Sequence, residues 1–426
     1  MPLLNWRGFF FWTVKESVMR QYIFHGVLPL FFFAIALTSP LSSPRAKTMQ
    51  TERISIINDL STNPQDPASL WIATHYGLLR ANPNGEATLV QELKAGLMSL
   101  AVHPENDKIM LTSGHATGGK GLGVMKSTDG GESWAKISVE AGDPAAFYFM
   151  DISRADPNVV YGVSKNKLQI SRDGGRSWKA EGKLPEDVFG LAASSLKSDS
   201  LYAATKGGLL VSRDGGAKWS PAYSVQLPTT MVQAASGGRL YAFVFETGLI
   251  TAKEPDLDWK TLSKDFMGRY LLNLAVDPND AKRLYATMET GAIMTSGDGG
   301  KTWISFEGSH TASAENIAKG KKLYENTCQE CHGAGGVGED PKDPNAKDEF
   351  GYKAPPLNND AHAWHHSDKS LMSTILKGSS RNKRMVAFKD SLSGEDVENL
   401  VAYIKSLWSF RSLACQGVRH MSCMKR

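Results

Sequence analysis

Charge of one sign is what this chain lacks. Its 48 lysines and arginines are offset by 44 aspartates and glutamates over 426 residues, a net charge of +4. That balance is too weak for a nucleic-acid binder, and no basic stripe with interleaved aromatics occurs. Cysteine is scarce, at four. The apolar run from about Val27 to Leu37 is short for a membrane span and contains Pro29. Disorder across the whole chain is excluded by 41% hydrophobic and 22% charged residues. The length is too great for one core, so two or more domains are expected. Glycine (40) and tryptophan (10) are plentiful, which points to many tight turns with repeated aromatic plugs.

The N-terminal part, residues 1–47, reads as a targeting segment. Arg20 gives a short basic start, the Val27–Leu37 run follows, and small and polar residues come next. This is the plan of a secretory signal, with an uncleaved anchor in the inner membrane as the alternative. Residues 1–18 sit oddly before a signal and fit a start assigned too far upstream. Either way the chain is expected in the periplasm, where cysteines can oxidise.

The middle of the chain repeats. Ser127–Trp134, Ser171–Trp178, Ser212–Trp219 and Ser296–Trp303 share a Ser-x-Asp-Gly-Gly-x-x-Trp pattern, and worn copies end at Trp259 and begin at Arg80. Strand-like couplets such as LYAATKGGLLVS precede the motif, and Pro/Asn/Asp turns precede those. The unit recurs roughly every 40 residues, six times between Arg53 and Glu307. Gly-Gly supplies the positive φ of a tight hairpin, Ser and Asp can bond turn amides, and Trp is a plug for burial between sheets. Four short strands per unit at this period predict a six-bladed all-β propeller over 51–307. No spare strand is evident at either end to complete a shared sheet.

This unit resembles the Asp-box, or bacterial neuraminidase repeat, of sialidases, sortilin-type receptors and photosystem assembly factors. The resemblance implies a structural role for Asp129, Trp134, Asp173, Trp178, Asp214, Trp219, Asp298 and Trp303. The arginine motif of the sialidases is missing, so the likeness carries the fold and not glycosidase activity. An insertion at Thr112–Gly123 is the candidate binding loop of this domain, with His115 read as a satisfied loop histidine.

Cys328, Cys331 and His332 form a Cys-x-x-Cys-His motif. A thioredoxin-like site would need a βαβ context, which is missing, and a zinc site would need a second ligand pair at the right spacing. Covalent haem c remains. Two thioethers would anchor the porphyrin edge and force the next residue beneath the iron. Helical spacing precedes the motif, with Ile317, Gly320, Leu323 and Tyr324 on one face. A last helix opens at Ser393 with Asp396 three residues on, and carries Val397, Leu400, Val401, Ile404 and Leu407.

The order of these features resembles class I cytochrome c over Ser313–Trp408. The resemblance implies that Gly320, Tyr324 and Tyr403 pack the first helix on the last. It implies that Pro355 or Pro356 fixes His332, and that Met385 is the sixth iron ligand. Met372, a rival, falls on a helical core face. Met/His ligation fills both axial sites and favours the ferrous state, which suits a carrier of single electrons better than a peroxidase.

Three further features attract attention. Lys377, Arg381, Lys383, Arg384 and Lys389 surround Met385 and would make a docking collar for a redox partner with an acidic patch. His362, His365 and His366 flank Trp364, and this loop is read as lining the haem propionates, with metal binding and alternative axial ligation as the other readings. In the tail, 411–426, Cys415 and Cys423 are read as a disulfide; with His420, Met421 and Met424 they offer a copper(I) site as the alternative.

The expectation is therefore a multidomain chain: propeller, linker at 308–315, and a small all-α monohaem domain at 316–410. Electron transfer at the haem is the expected function, with the propeller as docking or recognition platform. The alternatives are an oxidoreductase with a substrate site on the propeller axis, and a haem-containing binding or assembly factor.

Overall fold

A computed structural model describes residues 47–63, 65–66, 68–91, 95–137, 146–165, 167–185, 187–360 and 363–424. The expected targeting segment, residues 1–47, lies outside these residues apart from Lys47. Among the described residues no helix is long and apolar enough to cross a membrane.

Six antiparallel sheets follow one another in sequence, each built on a four-stranded meander whose strands pair in chain order. The inner strands are Asp59–Thr62, Ala95–Val102, Phe149–Ile152, Val188–Ala193, Thr229–Ala235 and Leu271–Val276. Four of the second strands, Leu70–Thr74, Val160–Ser164, Leu201–Thr205 and Leu284–Met288, are buried at every position. Neighbouring blades cover both of their faces, so these strands read as unbroken apolar or small residues and show no alternation. Six apolar clusters fill the six seams between blades. The ring closes where Asn273 Nδ2 of the sixth blade reaches Ile57 O beside the first. Among the described residues no strand is exchanged at closure, but Thr48–Gln50, ahead of the expected boundary, pairs with Glu86–Gln91 as a fifth, outermost strand of the first blade. The expected insertion at Thr112–Gly123 is a lengthened hairpin between Met110–Ala116 and Gly121–Ser127.

The four Ser-x-Asp-Gly-Gly turns share one hydrogen-bond plan. In the first, Ser127 Oγ donates to Asp129 Oδ1 (2.7 Å) and accepts from Gly131 N (2.8 Å), while Trp134 Nε1 donates to Gly131 O (3.0 Å). Ser171, Ser212 and Ser296 repeat it with Asp173, Asp214 and Asp298 and with Trp178, Trp219 and Trp303. Both glycines sit at positive φ, 76° and 91° in the first turn. Hydrogen bonds from Ser133 and Ser127 hold the Asp129 carboxyl at about 2. These carboxylates face outer turns, and their work is local. The worn copy behaves differently: Trp259 Nε1 donates to Ala222 O of the preceding blade.

Six helices follow: α1 (Ala314–Thr327), α2 (Gln329–His332), α3 (Asp368–Lys377), α4 (Gly394–Ser406), α5 (Phe410–Ala414) and α6 (His420–Met424). Ser313, Ser367, Ser393 and Ser409 cap α1, α3, α4 and α5, and Ser393 forms a full capping box with Asp396. Helices α1 and α4 cross at Gly320, where any Cβ would collide with Asn399 O. One turn on, the Tyr324 and Tyr403 rings meet at 5.2 Å.

The expected linker is a single 3-10 turn, Ser309–Thr311, and it does not separate the two parts. The core of the last propeller seam runs on into the helical part: Phe266, Leu271 and Trp303 share one cluster with Ile404, Trp408, Leu413 and Ala414. Phe266 stands edge-on to Trp303 (5.1 Å) and to Phe410 (4.8 Å). The tail continues beyond 410 as part of this seam, and Cys415 and Cys423 are joined in a disulfide.

Candidate functional site

Cys328 ends α1, and the single turn of α2 presents Cys331 and His332. Neither Cys328 nor Cys331 is in a disulfide. Cys328 is packed against the helical core cluster, as are Leu323, Leu357, Leu371, Met385 and Phe388, and its burial, with the charge of Cys331, pushes the thiol up to about 11. Cys331 is exposed.

His332 Nδ1 lies 2.8 Å from Pro355 O, so Pro355 and not Pro356 holds the ring. A carbonyl only accepts, so Nδ1 is the protonated nitrogen and Nε2 carries the free lone pair. Burial lowers the His332 pKa and keeps the ring neutral. Pro356 packs instead on Gly338, where a Cβ would come within 2.8 Å of its ring. Tyr324 Oη donates to Gly333 O (2.7 Å), tying α1 to the residue after His332.

Met385 sits in the same core cluster as Cys328. Its loop is held to α3 by Ser379 N to Met385 O (3.0 Å) and Phe388 N to Ile375 O (3.1 Å). Met372 is also in this cluster, on α3 beside Leu371 and Ile375. Trp364 Nε1 is buried and has no hydrogen-bond partner among the described residues. A buried indole N–H without an acceptor is costly, and Trp364 packs against the seam cluster shared with the propeller rather than the cluster of Cys328 and Met385. The donor set at the motif thus fits haem: two uncrosslinked thiols, an imidazole with Nε2 free, and a thioether in the same cluster as Cys328.

The basic collar is less free than its sequence implies. Arg384 pairs with Glu339 and with Asp348, each at 2.9 Å. It fastens the hairpin Lys347–Tyr352 to the Met385 loop, aided by Asn382 Nδ2 to Tyr352 O (2.7 Å). Lys377, Arg381, Lys383 and Lys389 are exposed. Sequence reasoning missed this hairpin, because the pairing of Arg384 with residues some forty positions away leaves no local signal.

Of the histidine loop, His362 lies outside the described residues. His365 stacks on His420 of the tail (4.3 Å, 11°) and Trp364 stands edge-on to His365 (4.2 Å). The copper reading of the tail has no support. Cys415 and Cys423 are bonded to each other, and no group of three or more His, Cys, Asp or Glu suited to a metal occurs among the described residues. His115 is satisfied by Gly119 O and Tyr148 Oη, each at 3.3 Å.

On the propeller axis lies a cavity of about 420 Å³, lined by Asp59, His103, Asp151, Arg154, Gln233 and Asn273 among others. Its two inner-strand carboxylates already serve the blades: Asp59 accepts from Leu100 N (2.8 Å) and Asp151 from Ala193 N (2.9 Å).

A family model described as cytochrome c oxidase, cbb3-type, subunit III matches residues 315–404. The C-terminal part is thus a cytochrome domain, and the chain is a six-bladed propeller followed by that domain. No curated protein matches the chain. Among solved structures, a GH74 xyloglucanase from Xanthomonas campestris is similar at 16% identity, covering 61% of this chain and 46% of that one, with a TM-score of 0.44. YCF48 bound to a D1 peptide is similar at 18% identity, covering 62% and 84%, with a TM-score of 0.41. YCF48 from Cyanidioschyzon merolae gives 18%, 61%, 88% and 0.40. The chain spans under half the length of that xyloglucanase. At such identities the likeness concerns the propeller fold and not its activity.

Proposed function

We propose that this chain is an exported, periplasmic carrier of single electrons. Its cytochrome domain would hold one haem c through thioethers at Cys328 and Cys331, with His332 Nε2 and Met385 Sδ as axial ligands. The carrying observation is the hydrogen bond from His332 Nδ1 to Pro355 O, which leaves Nε2 as the metal-binding nitrogen before any metal arrives. Bound there, the haem supplies a one-electron couple. The protein's own residues orient the imidazole and pack Cys328 and Met385 against one apolar cluster, and Trp364 Nε1 would be offered to a propionate. With His332 and Met385 both holding the iron, substrate binding there would be disfavoured.

The propeller, whose four regular turns we assign to the Asp-box type, serves in this reading as a rigid support and recognition platform. Its shared core with α4 and α5 favours fixed placement over a tether. The N-terminal segment would direct export, with or without retention at the inner membrane.

The test is the reduced-minus-oxidised visible spectrum of the full chain, with Met385→Ala and Met385→His beside the wild type. Sharp low-spin c-type bands, with a near-infrared sulfur-to-iron band lost in both variants, support the reading. A high-spin wild type, or one unchanged by either substitution, overturns the ligand assignment. A wild type without c-type bands overturns the haem.

A further inference from the structure

Glu339 divides its carboxylate between the two segments that adjoin the candidate axial donors. Its Oε2 accepts from Ala354 N (3.0 Å), and its own backbone N donates to Ala354 O (3.0 Å). The next residue, Pro355, is the one whose carbonyl accepts from His332 Nδ1. Glu339 Oε1 accepts from Arg384 Nη2 (2.9 Å), and Arg384 directly precedes Met385. The bonds from Ala354 and from Arg384 hold the Glu339 carboxyl below the usual carboxylate range, so both oxygens serve as acceptors at neutral pH. One side chain thus spans from the strap that holds His332 to the loop that carries Met385.

The other ties of the Met385 loop lead to different elements. Ser379 N donates to Met385 O (3.0 Å) just past α3, where a Cβ on Gly378 would come within 2.7 Å of that oxygen. Asn382 Nδ2 and the second arm of Arg384 lead to the Lys347–Tyr352 hairpin, at Tyr352 O (2.7 Å) and Asp348 Oδ2 (2.9 Å). The Glu339–Arg384 pair is open to solvent, with side chains 28% and 31% exposed. An ion pair this open adds little to folding. Its place sets it apart, because it joins the sequence neighbours of both donors.

We propose that Glu339 is a positioning residue for the iron: through Arg384 it clasps the Met385 loop to the strap of His332, and so keeps the thioether on ferric iron against outside ligands. The proposal rests on the haem reading above and adds what secures its weaker bond. A thioether is a soft donor and ferric iron a hard acceptor, so this bond is the one that an incoming nitrogen base displaces. With the loop clasped, that displacement must also break the Glu339–Arg384 pair.

The test is imidazole titration of the ferric full-length holoprotein, followed by loss of the near-infrared sulfur-to-iron band. Wild type is compared with Glu339→Gln, Arg384→Ala and the double variant. Glutamine keeps the shape but offers one acceptor oxygen to two donors. Each single variant is expected to bind imidazole about tenfold more tightly, and the double no more tightly than either single. Arg384→Lys, which keeps the charge but cannot hold both carboxylates, is expected to fall between. Asp348→Asn, which loosens only the hairpin arm, should stay within about twofold of wild type, since Asn382 also holds the hairpin. If Arg384→Ala does not take up haem, Glu339→Gln against Arg384→Lys carries the same comparison.

The midpoint potential gives a second readout, with a sign. Loss of a carboxylate charge by itself raises the potential, whereas a loosened thioether lowers it, and Glu339→Gln is expected to lower it. Imidazole affinities of the single variants within about twofold of wild type overturn the proposal. So do single effects that multiply in the double variant, a raised potential in Glu339→Gln, and a gain in Asp348→Asn equal to that in Arg384→Ala. A wild type without c-type bands removes the haem reading and the clasp together. Normal bands, with the sulfur band lost in Met385→Ala but imidazole binding unmoved in Glu339→Gln, remove the clasp alone.

Discussion

Arg419, in the loop closed by the Cys415–Cys423 disulfide, places its guanidinium 2.8 Å from the carboxylate of Glu307, just past the last strand of the propeller. Both side chains are nearly buried, at 4% and 12% exposure. Thr51 Oγ1 donates to the same carboxylate (2.6 Å), and Gln416 and Lys405 of the cytochrome side meet Asp368 at the head of α3. The tail, the first blade, the last blade and α3 are thus tied at one point.

Removing one member of this pair leaves the other charged and buried. Arg419→Ala is expected to destabilise the chain by about 3 kcal/mol or more, and Glu307→Ala by a similar amount. Denaturant unfolding of both single variants and of the double variant checks this; the double should cost clearly less than the two singles summed. Burial would push the Glu307 carboxyl up, but Arg419 holds it below the usual carboxylate range. Its stabilisation is therefore present above the unfolded carboxylate value and is lost as pH falls through the depressed folded value.

Glu52 beside this point behaves in the opposite sense. Burial first, and then the charge of Glu307, raise its pKa, and its Oε2 is buried without a partner among the described residues. Folding favours the protonated acid, so its stability contribution is full below the unfolded value and is lost as pH rises through the raised one. Glu52→Gln should raise the melting temperature at about pH 7 and leave it nearly unchanged at about pH 4. Equal gains at both would show that the effect is packing and not charge.

Gly320 fixes the crossing of α1 and α4. Gly320→Ala would drive a methyl into Asn399 O and against Tyr403 Cβ. The expected cost is about 3 kcal/mol, with helices forced apart next to Cys328. Thermal unfolding measures the loss, and the haem-to-protein ratio shows whether cofactor attachment fails with it. Lys319→Ala on the exposed face of the same helix should do neither.

Trp364→Phe keeps a ring of similar shape but removes the buried Nε1 donor. If that donor meets a propionate, its loss leaves more negative charge near the iron and favours the ferric state. The midpoint potential should then fall while the visible bands persist. Spectroelectrochemical titration decides the point, and an unmoved potential would mean that Nε1 faces another acceptor.

Local chemistry made much of this molecule readable from its sequence. The Ser-x-Asp-Gly-Gly-x-x-Trp turns close on themselves within eight residues, so pattern and geometry coincide at Ser127–Trp134 and its three regular copies. The Cys-x-x-Cys-His stretch and the caps at Ser313 and Ser393 are equally local. The outer strand Thr48–Gln50 escaped because three residues carry too little pattern to register.

What the tertiary structure alone decided is how the two parts meet and which charges are spent. Arg384 reads as a docking cation, yet two carboxylates more than thirty residues upstream occupy it. The stretch 308–315 reads as a linker, yet Phe266, Trp303 and Phe410 run one core across it. Such contacts join residues far apart in the chain, and side-chain type alone does not specify which distant partner a charge or ring will find. Turns, caps and the Cys-x-x-Cys-His motif are set by neighbours in sequence, whereas the seam between propeller and cytochrome is set by surfaces that exist only once both have folded.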